Sequence, residues 1–244
     1  MTSSYLFPRY RLLVMSKSPM LGRVKTRMQP QLTPEESLQL HTTLTQYCLQ
    51  QWASLALCPL NLWVGGCLPT FRHKILSPLD LALTKKMVLQ QQPEGDLGER
   101  MSFAATTACN DGVDGVILLG TDCPFIDHQY LQSALQCLND GRDIVIGPAN
   151  DGGYVLLAMK RHCAELFTDV AWGTETVFAS TMQKIQEQHL DCYVLPPLND
   201  VDSYDDLAAL STLPPLTSDN EYIIHFSTYS YDSSRTIQSQ YLGQ

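Results

Sequence analysis

The chain has 244 residues, 44% hydrophobic and 17% charged, with a formal net charge of −9 and a pI near 5.0. That supplies enough apolar side chain for a folded core and too little charge for a disordered polymer. The acidic balance excludes a protein whose main partner is a nucleic-acid backbone, since that binding rests on clustered Lys and Arg. With no run of 18 apolar residues, neither a membrane span nor a secretory leader is expected, and the chain is expected to stay in the cytoplasm.

From Tyr10 an apolar run, Leu-Leu-Val-Met, breaks into the Pro, Gly and basic stretch Ser16 to Met28, which predicts a buried strand and a loop. Thr33, Pro34 and Glu36 form a capping-box pattern for a long helix carrying Leu40, Leu44, Tyr47, Cys48 and Leu55 on one face. Leu60 to Val64 and Met87 to Gln91 read as strands, and Leu97 to Cys109 as a helix after the turn Pro93 to Asp96. Gly115 to Gly120 is a continuous apolar run between glycines, as expected of a central strand covered on both faces. Asp127 caps a helix through Leu138, and two more strands follow at Asp143 to Ile146 and Tyr154 to Ala158. Thr174 to Gln188 reads as a helix and Cys192 to Leu195 as a strand, and Ser203 with Asp206 caps a last helix through Leu210. Strands alternating with helices predict an α/β fold with a mainly parallel sheet between helices. One domain is expected over 1–212, followed by a polar tail over 213–244 that is either poorly ordered or adds an edge strand at Tyr222 to Phe226.

Four stretches carry the chemistry. Gly120-Thr-Asp-Cys-Pro124 follows the central strand, where open α/β sheets bind ligands, so Asp122 points toward the expected crevice. Magnesium takes a few carboxylates plus substrate phosphates, which makes Asp122 a metal candidate and Asp202, or its neighbour Asp200, a plausible second ligand. Lys17, Arg23, Lys25 and Arg27 are four of the 16 basic residues, all in one strand-to-helix connection beside Gly22. Such a loop suits a diphosphate or triphosphate. In Gly147 to Tyr154, Asn150, Asp151, Gly152 and Gly153 offer either a ligand loop or a plain hairpin turn. Trp172 and Glu175 are either near the acceptor or parts of the core and a helix start. The eight cysteines are scattered without metal spacing and are expected to be free, mostly buried thiols.

Taken together, Lys17 to Arg27, Gly95-Asp-Leu-Gly-Glu-Arg-Met101, Leu119 to Pro124, Gly147 to Tyr154, the Trp172 segment and Asp200-Val-Asp202 resemble a bacterial family of nucleotide-diphospho-sugar transferase fold. These are the cofC-like glycosyltransferases often linked to arsenosugar biosynthesis. The resemblance spans residues 11 to about 210 and implies a glycosyltransferase-A, Rossmann-like three-layer fold. It implies Mg²⁺ or Mn²⁺ at Asp122, completed by Asp202, with Lys25 near the nucleotide phosphates. It further implies that Gly95, Asp96, Leu97 and Gly98 lie along the base or ribose. The metal stretch is Thr-Asp-Cys, not the Asp-x-Asp of many sugar transferases. From the family association, and despite that departure, the leading expectation is metal-dependent glycosyl transfer from a nucleotide sugar to a small acceptor. Guanylyltransferase-like transfer from a nucleoside triphosphate is the alternative, and non-catalytic nucleotide binding the third.

Overall fold

The computed structural model describes residues 5–217 and 223–224. In chain order the elements are β1 (Tyr10–Lys17), α1 (Pro34–Ser54), β2 (Leu60–Gly65), α2 (Leu68–Phe71), α3 (Leu81–Thr84), β3 (Val88–Gln91) and α4 (Leu97–Asn110). They continue with β4 (Gly115–Gly120), α5 (His128–Asn139), β5 (Ile144–Pro148), β6 (Tyr154–Met159), α6 (Val177–Glu187), β7 (Cys192–Val194) and α7 (Leu207–Leu210).

Successive side chains on a strand point to opposite faces, so a strand covered on both sides feeds two cores. Leu12 and Val14 of β1, Ile117 and Leu119 of β4, and Leu156 and Ala158 of β6 pack on one face with α1, α5 and α7. Leu13 and Met15, Val116 and Leu118, and Leu157 and Met159 pack on the other with α4 and α6. Full burial of each such aliphatic side chain contributes about 1.5–3 kcal/mol, which explains why the middle of the sheet carries almost no polar residue.

The sheet order is β3-β2-β1-β4-β6-β5-β7, which places β4 in the middle as its apolar run predicts. β1 pairs in parallel with β2 and β4, β2 with β3, and β5 with β7. β6 is antiparallel to both its neighbours. The reason is length, because a parallel return needs a crossover of a dozen or more residues and the loop from Pro148 to Tyr154 is far shorter.

The caps form as the residue types require. Thr33 with Glu36, Asp96 with Glu99, and Ser203 with Asp206 make reciprocal capping boxes, and Asp127 accepts from the backbone N of Tyr130. The segment from Cys67 to Lys86 folds into α2, a π turn and α3, short helical turns that the sequence pattern does not announce. All eight cysteines are free, but only Cys48, Cys58 and Cys123 are fully buried, and Cys67 is exposed. Among the described residues no helix is long and apolar enough to cross a membrane. Most of the expected tail lies outside the described residues; Leu216–Thr217 and Ile223–Ile224 pair with each other and not with the main sheet.

Candidate functional site

The chain leaves β1 for β2 and β3 on one side and later lays β4 on the other. Open α/β sheets bind ligands at such a reversal, outside the carboxyl ends of the strands. A cavity of about 640 Å³ opens there, between the ends of β1 and β4, the basic loop, the start of α4, and Asp200 and Asp202.

At its centre Asp122 follows β4. The Lys25 Nζ lies 2.5 Å from Asp122 Oδ1 and donates to the Val201 carbonyl at 2.5 Å. The Val201 N–H donates to the Asp122 carbonyl at 2.8 Å, so one residue clamps both partners. Lys25 has 3% of its side chain exposed, whereas Asp122 has 50%, and that open half faces the cavity. Burial works against ionisation of Asp122, but the charge and hydrogen bond of Lys25, together with His41 and Lys17, outweigh it and hold the carboxyl below its ordinary 3.8. Lys25 adopts φ +48, a left-handed conformation that is uncommon for a residue with a Cβ and is held here by the anchored ammonium.

Beneath Asp122, the Thr121 hydroxyl lies 3.1 Å from that of Ser16 and 3.3 Å from that of Thr45, fixing the ends of β1 and β4 against α1. His41 donates from Nε2 to the Lys17 carbonyl at 2.9 Å, and burial pushes its imidazole down, so it stands neutral. Cys123 donates to the Asn199 carbonyl at 3.2 Å, and burial drives its thiol upward, which makes it a packed group and not a nucleophile.

A second ion pair joins Arg27 Nη1 to Asp202 Oδ2 at 2.5 Å, and Arg27 Nη2 donates to the Gly173 carbonyl at 3.3 Å. Asp200 differs. Among the described residues no cation pairs with it, and its carboxyl is pushed up to about 6, first by burial and then by Asp151, Asp202 and Asp122. No group of three or more His, Cys, Asp or Glu side chains among the described residues is arranged as a metal site. Hard carboxylate donors, one half-open and one lacking a cation, nevertheless fit Mg²⁺ or Mn²⁺ that draws its other ligands from substrate and water.

Of the residues singled out in the sequence, Lys17, Arg23, Lys25, Arg27, Gly95, Asp96, Leu97, Asp122, Tyr154, Asp200 and Asp202 line this cavity. Gly22, Gly98, Asn150, Asp151, Gly152, Gly153 and Trp172 are not on its wall. Gly98 packs α4 closely on Trp172, and a Cβ there would lie 2.5 Å from the indole Nε1. Gly152, at φ +91, passes against the backbone of Glu175 with no room for a side chain. Asn150 donates to Asn199 Oδ1 at 2.5 Å and Asp151 accepts from the Gly153 N–H at 2.8 Å. The 147–154 loop is thus a hairpin that braces the irregular segment carrying Asp200. Trp172 meets Tyr154 edge to face with ring centres 6.3 Å apart.

Three lining residues have no role in the sequence reading: His41 on α1, Gln92 after β3, and Arg100 on α4, which stands inside the stretch Gly95 to Met101. Each is isolated in its own segment, and the one available signal was Arg100 four residues beyond the Asp96 cap.

A family model for uncharacterized proteins conserved in bacteria, DUF2064, matches residues 48–174. The chain belongs to this family. The family match includes the α4 start, Asp122, the hairpin loop and Trp172, and it ends before Asp200. A crystal structure from Desulfovibrio desulfuricans G20, provisionally named a nucleotide-diphospho-sugar transferase, is 31% identical, with 84% of this chain and 87% of that one covered at a TM-score of 0.75. The 4-diphosphocytidyl-2C-methyl-D-erythritol synthase of Anaerococcus prevotii DSM 20548 is 9% identical, covering 81% and 93% at a TM-score of 0.52. A CMP:2-keto-3-deoxy-manno-octonic acid synthetase complexed with CTP is also 9% identical, covering 82% and 95% at a TM-score of 0.51. The last two show the shared fold alone. No curated protein matches the chain by sequence.

Proposed function

We propose that this DUF2064 member is a metal-dependent transferase that binds a nucleotide at the mouth of β1 and β4 and transfers a nucleotidyl group to a phosphorylated small molecule. The observation that carries the reading is Lys25 buried against the half-open Asp122 at the end of the central strand. Both are charged, both face one cavity, and each is a partner that a metal-bound phosphate chain would replace.

Lys17, Arg23 and Arg27 line the same cavity. That density of cations matches a triphosphate better than the two phosphates of a nucleotide sugar. Asp122 with Asp200 would hold the ion, because Arg27 already engages Asp202. When bound, Mg²⁺ or Mn²⁺ would supply Lewis-acid charge to the phosphate oxygens. Lys25 and Arg27 would bind the β- and γ-phosphates and stabilise the negative charge that develops on the leaving pyrophosphate. His41 holds the Lys17 carbonyl and thereby the start of the basic loop.

Glycosyl transfer from a nucleotide sugar is the second reading. It is favoured by the provisional name of the 31% identical relative and by the resemblance to cofC-like glycosyltransferases. Pure protein with Mn²⁺, labelled nucleotides and a panel of phosphorylated acceptors separates the two. Acceptor-dependent pyrophosphate release is expected; release of nucleoside diphosphate from a nucleotide sugar would replace the first reading with the second. Tight binding with no turnover of either donor would leave a nucleotide-binding protein. Asp122→Asn is expected to abolish metal-dependent nucleotide binding by calorimetry while the folded circular-dichroism spectrum persists. It should cost about 1–3 kcal/mol of stability, because the buried Lys25 loses its charged partner.

A further inference from the structure

We propose that Arg100 and Gln92 read the base of the bound nucleotide and select keto bases, guanine or uracil, over the amino bases adenine and cytosine. The inference rests on the nucleotide reading above and goes beyond it by naming the substrate class.

Gln92 donates both hydrogens of its amide, to the Ser16 carbonyl and the Trp63 carbonyl, each at 3.0 Å. Rotating the amide would forfeit both bonds, so its orientation is fixed and Oε1 is presented as an acceptor. Arg100 is a donor only. Its acidic neighbours are engaged elsewhere, Glu99 with the Asp96 N–H at 2.8 Å and Asp96 with the Glu99 N–H at 2.8 Å. Among the described residues no carboxylate pairs with Arg100, and its Nε is buried without a partner. Gly65 shows where the two meet, since a Cβ there would lie 2.9 Å from Gln92 Oε1 and 3.9 Å from Arg100 Nη1. Both side chains line the cavity, together with the apolar Met15 and Met101, which suit the faces of a planar ring.

A donor beside a fixed acceptor needs a ligand edge with an acceptor beside a donor. Guanine offers O6 next to N1–H, and uracil offers O4 next to N3–H. Adenine and cytosine present the reverse, an amino group next to a bare ring nitrogen. They would place hydrogens against the guanidinium and a lone pair against Oε1, leaving buried polar groups unmet.

Calorimetric titration of the full chain with GTP, UTP, ATP and CTP in Mg²⁺ tests this. GTP and UTP are expected to bind roughly 5- to 150-fold tighter than ATP and CTP, the range of one well-formed base contact. Arg100→Ala should erase that difference by weakening GTP and UTP while ATP and CTP affinity holds or rises, which also shows that the variant is folded. Equal affinity of the wild type for all four, a preference for CTP, or equal weakening of all four in Arg100→Ala would overturn the proposal while leaving the nucleotide reading standing. Absence of any triphosphate binding to the wild type would overturn both.

Discussion

Among the described residues no cation forms an ion pair with Asp200, and its ionisation should be felt in stability. The folded chain holds its proton up to about pH 6, whereas an unperturbed carboxyl releases it near 3.8. Between those values the folded state binds the extra proton, so stability falls as pH rises through this window and stays reduced above it. Asp200→Asn removes the penalty. It should melt at a higher temperature than the wild type at pH 7, by about 2–4 °C for each kcal/mol recovered, and show little difference at pH 3.5. Added Mn²⁺ should raise the melting temperature of the wild type and not that of the variant. A lower melting temperature for Asp200→Asn at pH 7 would mean that the carboxylate has a favourable partner.

At this scale Asp122 and Lys25 were legible in the sequence, because an acid directly after an apolar strand and a basic loop after another are local patterns. Their mutual contact was not, since it depends on Val201, far along the chain, clamping both. Arg100 and Gln92 were illegible for the same reason. An arginine one turn into a helix reads as a solvated face until β2 and β3 are placed beside it.

Among the elements, α4 is the one whose position decides the shape of the cavity. Its start is set by the Asp96 and Glu99 capping box, and its closeness to the Trp172 segment is set by Gly98. A Cβ at Gly98 would lie 2.5 Å from Trp172 Nε1 and 2.6 Å from the Phe167 carbonyl. Gly98→Ala is expected to destabilise by about 1–3 kcal/mol, the usual cost of overpacking, read as a lower urea midpoint. An unchanged midpoint would show that the 167–172 segment yields freely. Gly98 was expected along the base or ribose from the resemblance, and its place against Trp172 is a helix-packing role that no one-dimensional motif distinguishes from ligand contact. The boundaries of α1, α5 and β4 were readable from caps and apolar periodicity, whereas α2 and α3, at four residues each, are too short to show any period.

Across the molecule, alternation of strands and helices foretold the three layers and the mainly parallel sheet. The reversal of β6 was left open as the hairpin reading of Gly147 to Tyr154, because a strand buried on both faces has the same apolar pattern in either direction. The reversal matters for the site, since it brings Tyr154 to the cavity and lets the 147–154 hairpin brace Asp200.

Crystals grown with Mn²⁺ and GTP, examined by anomalous scattering at manganese, test the site most directly. The expected result is an ion about 2 Å from carboxylate oxygens of Asp122 and Asp200, with the phosphates against Lys25 and Arg27. Manganese away from Asp122, or phosphates lying outside the mouth between β1 and β4, would contradict it.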